Sequence, residues 1–320
     1  MMNGNFRRRF FAFFQSLRRF TKNRLNLLCL LIIVAYLIVA LCVEGYSIYC
    51  AKNLILPVYE RGDIEKRFQP PSSAHWFGTD YIGRDVFLRA LAGTATAVKV
   101  GLLASSLAVF IGVTLGVAGG YFGGWIDDLT VWLYSIFAAM PSLLFVLAFA
   151  LLVSKGFLCA PLNDAFSALC SAVNTEPGMM AVYLGIGITG WVSLCQMIRA
   201  ETFKLRETGY VQSAIVSGIR RRWIIIKHIL PNLFHLIIIF FSIRFAGAVM
   251  TEVIVSYLGL GVQKAPSWGV MIADGQERLW RGVWWEVGAA SLFMFFLVLA
   301  LNILADALRD FLDPRLNNNS

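Results

Sequence analysis

The chain has 320 residues, of which 58% are hydrophobic and only 15% charged, and its formal net charge is +9. Soluble domains carry about 45–50% apolar and about 25% charged residues, so this composition excludes a soluble globular enzyme and predicts an all-α integral membrane protein. The basic residues gather beside apolar runs instead of on one soluble face, which marks them as topology determinants and argues against nucleic acid as a partner.

Residues 1–24 form a basic tail with Arg7, Arg8, Arg9, Arg18, Arg19, Lys22 and Arg24 and no acid. About 25 residues before the first apolar run is longer than the basic region of a cleavable signal, so the tail reads as retained. The first of six expected transmembrane helices covers 25–44, and a polar segment, 45–89, follows it. The remaining five fall within 90–311, near 91–119, 129–153, 180–198, 233–258 and 287–307; a second tail covers 312–320. Each run is long enough to cross ~30 Å of hydrocarbon at about 1.5 Å per residue.

Gly101, Gly112, Gly116, Gly119 and Gly120 in the second span call for close helix–helix contact. Pro141 would kink the third, either for packing or as a gating hinge. The loop after the third span carries Cys159 and Cys170, a disulfide pair if that loop meets an oxidising space. Cys29, Cys42 and Cys195 lie in apolar runs and read as packing residues.

The basic flanks fix an expected orientation. Arg199, Lys204, Arg206, Arg220, Arg221, Arg222 and Lys227 crowd the loop between spans four and five, on the same side as the N-terminal tail. Both would be cytoplasmic, as would the C-terminus. The segment 45–89 and the stretch after span five would lie outside.

Few charges lie inside the spans, whereas ion-coupled carriers need them. Lys99 sits near one end of the second span, where it can snorkel. Arg244 and Glu252 are eight residues apart in the fifth. That spacing is about 80° around the axis and ~12 Å along it, so they could line one cavity without touching. Both are pathway candidates, with a purely structural pairing as the alternative. Asp127 and Asp128 suit a helix N-terminus.

No GxxxxGK[ST], HExxH or GxSxG occurs, and His75, His228 and His235 lack ligand spacing. No catalysis, bound cofactor or metal is expected of this chain.

The stretch GYVQSAIVSGIRRRWIIIKHILPN runs from Gly209 to Asn232, within the loop 199–232. Val211, Ala214, Ile215, Gly218 and Ile219 recur at the spacing of one helical face, with Gln212 and Ser213 pointing elsewhere. Gly218 can stop that helix, a second can run through Arg220 to His228, and Pro231 can open the fifth span. An amphipathic unit of this kind lies on lipid or fits a groove in a partner; the sequence leaves both open.

This stretch resembles the "EAA" loop of ABC importer permeases, with Gln212-Ser213-Ala214 at the triplet, Gly218 at the glycine and Ile229-Leu230-Pro231 at the end. HWFGTDYIGRDVFLRALAGT, GGYFGGWIDD, LRETGYV, TEVIVSYLGLGVQKAPSWGVMIADG and LRDFLDPR are similar to segments of the second permease of oligopeptide and dipeptide importers. The triplet departs from the family pattern, which has Glu and Ala where Gln212 and Ser213 stand.

The resemblance implies a type I ABC permease core of five helices plus an added first helix. It also implies a cytoplasmic coupling helix between spans four and five. Tyr210, Val211, Gln212, Ser213, Ala214, Gly218, Ile229, Leu230 and Pro231 would form the ATPase-coupling loop. The implied partners are a second homologous permease, two cytoplasmic ATPase subunits that bind ATP and Mg, an extracytoplasmic solute-binding protein, and lipid of a bacterial inner membrane. Other readings are the same machinery carrying nickel chelates, glutathione or another small solute; an ion-coupled secondary transporter; and a scaffold whose basic loop only grips lipid.

Overall fold

The computed structural model describes residues 23–154, 160–173, 175–261 and 265–312. Helices dominate these residues, and the one extended pairing among them is an isolated bridge between Thr79 and Asp85. We number the helices α1 Arg24–Lys52, α2 Val86–Phe122, α3 Gly124–Ala139, α4 Ser142–Ser154, α5 Ala160–Val173, α6 Pro177–Thr189 and α7 Val192–Arg206. They continue as α8 Gly209–Val216, α9 Arg221–Tyr257, α10 Trp268–Leu279 and α11 Trp285–Leu312. Five candidate spans are long and apolar enough to cross a membrane: α1, α2, the pair α6–α7, α9 and α11 up to Asp310. The pair α3–α4 makes a sixth if counted as one broken span.

α2 is the axis of the bundle, packed on α7, α9, α6 and α1. Its glycines explain how. Added Cβ atoms at Gly112, Gly116 and Gly120 would lie 3.0, 2.8 and 2.7 Å from the carbonyl oxygens of Trp191, Cys195 and Arg199. Both sets recur every four residues, so one face of α2 rides along the bare backbone of α7. A Gly116→Val variant is expected to force the two helices apart and destabilise the fold by about 1–3 kcal/mol. An unchanged thermal unfolding midpoint for purified Gly116→Val would contradict that packing.

Lys99, near one end of its span, has a partner there: its Nζ lies 2.6 Å from Glu44 Oε2 of α1. α1 also docks on α11 through the Tyr36 hydroxyl, which donates to the Phe293 carbonyl at 2.8 Å.

The third expected span is two helices. Pro141 has no N–H to continue the ladder, and α3 and α4 meet at an 88° bend, far sharper than a kink. The loop expected after it contains a helix, α5, on which Cys170 is buried. Cys159, and with it the proposed disulfide, lies outside the described residues.

The segment 53–85 forms a cap over one end of the bundle. Its centre is Asp80, fully buried, whose Oδ1 accepts the N–H groups of Ile82 and Arg84 at 2.9 Å each. Asp80 Oδ2 lies 2.7 Å from Arg84 Nε and 3.0 Å from Arg89 Nη1. Gly83 closes the turn with φ +84°, where a Cβ would sit 1.8 Å from the Asp63 carbonyl oxygen. Glu286 Oε2 of α11 reaches Arg278 Nη1 of α10 at 3.3 Å. Nearby, burial holds the Asp274 carboxyl above its ordinary range, against the pull of Arg89 and Arg278. Trp285 Nε1 donates to the Thr79 carbonyl at 3.0 Å, and Trp268 Nε1 to that of Ala90 at 2.8 Å. Cap, α2, α10 and α11 are thereby one unit.

Candidate functional site

The opposite end of the bundle carries the loop between spans four and five. α7 ends at Arg206, and Thr208, in extended conformation, starts α8 by accepting the N–H groups of Val211 and Gln212 at 3.0 Å each. Gln212 does not simply point away: its Nε2 donates to the Arg206 carbonyl at 2.8 Å. A glutamate there has no hydrogen to give, so the amide closes an orphan carbonyl at the end of α7.

α8 ends in a Schellman turn. Gly218 N–H donates to the Ile215 carbonyl at 3.0 Å and Ile219 N–H to that of Ala214 at 3.2 Å, while Gly218 takes φ +71°. Ser217 Oγ adds a bond to the Ser213 carbonyl at 2.8 Å. The expected bend at Gly218 is present.

Beyond Gly218 the chain departs from expectation. The second helix does not stop before Pro231; it is continuous with the fifth span as α9. Ile225–Ile229 widen into a π turn in which Leu230 N–H bonds the Ile225 carbonyl. This turn makes room for the Pro231 ring, which would otherwise strike the carbonyl four residues back. Pro231 therefore relaxes a continuous helix instead of opening one. Asn232 Nδ2 bonds the His228 carbonyl at 2.6 Å and the Tyr210 hydroxyl at 3.1 Å, tying α8 to α9.

The apolar face of α8 divides. Val211 and Ala214 are buried in a cluster with Val117 and Tyr121 of α2, Leu194 and Ile198 of α7, and Ile224, Ile229 and Leu233 of α9. Ile215 and Ile219, expected on that face, are instead exposed, as are Tyr210, Trp223 and Ile226. Val216 is 87% exposed at the tip. The loop is anchored on two spans and presents an apolar surface away from them.

A second link was not legible as a pair in the sequence. Arg199 of α7 grips Asp127 of α3 through both carboxylate oxygens, Nε to Oδ1 and, at 2.6 Å, Nη2 to Oδ2. Asp127 lies in the first turn of α3, as expected, but its partner is a side chain 72 residues away. The guanidinium fork makes this specific. Arg199→Gln and Arg199→Lys are both expected to loosen the start of α3, seen as faster amide hydrogen exchange there, by roughly 1.5–3 kcal/mol for the neutral change. Slow exchange preserved in the lysine variant would show that charge alone suffices.

The fifth-span pair separates. Arg244 lines a cavity of about 240 Å³ between α2, α4, α6 and α9, and its Nη2 donates to Ser193 Oγ at 3.0 Å. Glu252 is not among the lining residues. It is buried on another side of α9, its Oε1 accepting from Ser256 Oγ at 2.7 Å and Ser267 Oγ at 2.8 Å. Ser267 caps α10, so Glu252 holds α9 to α10. The spacing allows both to line one cavity; the cavity at Arg244 is lined without Glu252.

Comparison with known proteins gives the family of the chain. Residues 108–318 match the family described as "Binding-protein-dependent transport system inner membrane component". That match takes in α8, Gly218, Pro231, Arg244 and Glu252. The chain is 31% identical to the oligopeptide transport system permease protein OppC of Bacillus subtilis over 307 residues, covering 94% of this chain and 89% of that protein. It is 33% identical to the dipeptide transport system permease protein DppC of the same organism over 258 residues, 80% and 73% of the two chains. It is 29% identical to the glutathione transport system permease protein GsiD of Pectobacterium atrosepticum over 302 residues, 94% and 90% of the two.

Proposed function

This chain belongs to the binding-protein-dependent transport system inner membrane component family, and from that premise we propose that it is a permease subunit of an ATP-driven importer of oligopeptides or dipeptides. It forms half of the translocation pathway beside a second, homologous permease. α8 and the turn at Gly218 are the coupling element, and two cytoplasmic ATPase subunits, which hold ATP and Mg, receive it. The chain itself performs no chemistry. The N-terminal tail, α8 and the C-terminal tail face the cytoplasm of a bacterial cell. The cap 53–85 and α10 face outside, where a solute-binding protein delivers its cargo.

One observation carries the coupling role. The loop is fixed to α7 and α9 by Gln212, Asn232 and the buried Val211 and Ala214, yet it turns Val216, Ile215 and Ile219 outward. A part that only gripped lipid would not need a rigid link to two spans. A part that transmits force needs both the link and an exposed apolar surface to be held by. Displacing α8 would pull on α7 and α9, and through the glycine face on α2.

The test is uptake by the complex reconstituted in vesicles with its binding protein. Labelled di- to pentapeptides should accumulate only with ATP present, and complexes lacking this chain should accumulate none. Uptake of glutathione in preference to every peptide tried would move the substrate assignment to the reading that the glutathione relative supports.

A further inference from the structure

The cavity beside Arg244 has a one-sided chemistry. It is lined by Ser105, Ser142, Thr189, Arg244 and Thr251 among small and aliphatic residues, and no carboxylate of the described residues lines it. Two of the lining residues, Arg244 and Ser105, the latter 1% exposed, each carry a buried polar atom, Nε and Oγ, that has no partner among the described residues. Among the described residues Arg244 makes one hydrogen bond, to Ser193, and no ion pair. A guanidinium so placed inside a span is costly unless something negative meets it.

The helix break supplies a second positive element. α4 begins at Ser142, and Ser142 and Leu143 line the same cavity, so the positive end of the α4 dipole lies beside it. Half-helices broken inside a membrane present such ends to anionic groups of a solute. Guanidinium fork, helix N-terminus and an unpaired buried hydroxyl together form a receptor for an oxyanion. At about 240 Å³ the space is below the usual range for a whole drug-sized ligand, so it suits a terminus and not a chain.

We propose that this cavity receives the C-terminal carboxylate of the transported peptide, with Arg244 as its main contact, Ser105 as a second donor and the start of α4 as field. The proposal rests on the peptide-importer reading and adds the part of the peptide that the permease reads. It assigns Arg244 a specificity role: free acids pass the site held, and C-terminal amides do not bind there.

The test uses the assembled complex with Thr251→Cys on the cavity wall and its other reactive cysteines, Cys42 among them, replaced. The modification rate by an anionic sulfonate-bearing methanethiosulfonate is divided by that of the trimethylammonium analogue. The ratio should favour the anion, fall at least about tenfold in Arg244→Gln and recover in Arg244→Lys. Trialanine should slow modification, and trialanine amide should not. A ratio unmoved by Arg244→Gln overturns the anion site, as it would if a neighbouring subunit already neutralised the guanidinium. Protection by acid and amide alike, or by neither, overturns the carboxylate assignment. Because the ratio needs no transport, failure of peptide uptake with an intact ratio would strike the importer reading and not the anion site.

Discussion

Valine in place of Gly218 is expected to abolish ATP-driven uptake while the chain still inserts and is recovered from the membrane. Gly218 sits at φ +71°, and a Cβ there would meet nothing within 4 Å, so the substitution acts through backbone conformation alone. An L-residue in the left-handed region costs about 1–2 kcal/mol, and a β-branched one more. α8 has only eight residues, too few to hold a helix unaided, and Val211 and Ala214 are its two buried side chains. Strain at its C-terminal turn is therefore comparable with what keeps it in place. Losing the two Schellman bonds would free the tip that carries Val216. Asparagine tolerates the left-handed region, so Gly218→Asn should retain most uptake. Equal loss with valine and asparagine would show that glycine's smallness, and not its conformation, is what the site requires.

The second large effect is expected at the other end. Asp80→Ala removes a carboxylate that lies within hydrogen-bonding distance of both Arg84 and Arg89 and that accepts two backbone N–H groups. It leaves two largely buried guanidinium groups without their close carboxylate; among the described residues Arg89 keeps only Glu286 Oε1, at 3.9 Å. Breaking such a buried network by deleting one partner costs about 3–5 kcal/mol. The cap would separate from α2 and α11, and the complex should denature at a markedly lower temperature. Asp80→Asn, which keeps an oxygen for the backbone donors, should fall between. A thermal midpoint within error of the parent for Asp80→Ala would refute the account of the cap.

The fold was legible where one rule dominates. Apolar runs located the spans, and the glycines of the second located its contact with a neighbour, because close approach leaves no room for a Cβ. Pro141 announced a break but not its angle, since an 88° turn is set by what α3 and α4 pack against: Phe137 of α3 lies 5.5 Å from the Trp191 ring, while α4 packs on α6. Periodicity around Gly209 found the α8 helix and its glycine stop. It could not tell which apolar residues face the bundle, because Ile215 and Val211 look alike until the Ala214 side is placed against Tyr121. Pro231 misled for a physical reason: proline reads as a helix start, and the π turn that lets a helix run through it has no signal in sequence. Arg199 with Asp127, and Glu252 with Ser267, are pairs made by tertiary packing.

Whether α8 is the handle of an ATP-driven importer is decided by what binds it. The most direct test is recovery of the tagged chain from its native membrane in mild detergent, with the co-purifying proteins identified by mass spectrometry. Two ATP-binding subunits and a second, related permease are expected, with the ATP-binding subunits lost on Gly218→Val or held without productive coupling. A chain that comes down alone, or only with copies of itself, would contradict that role.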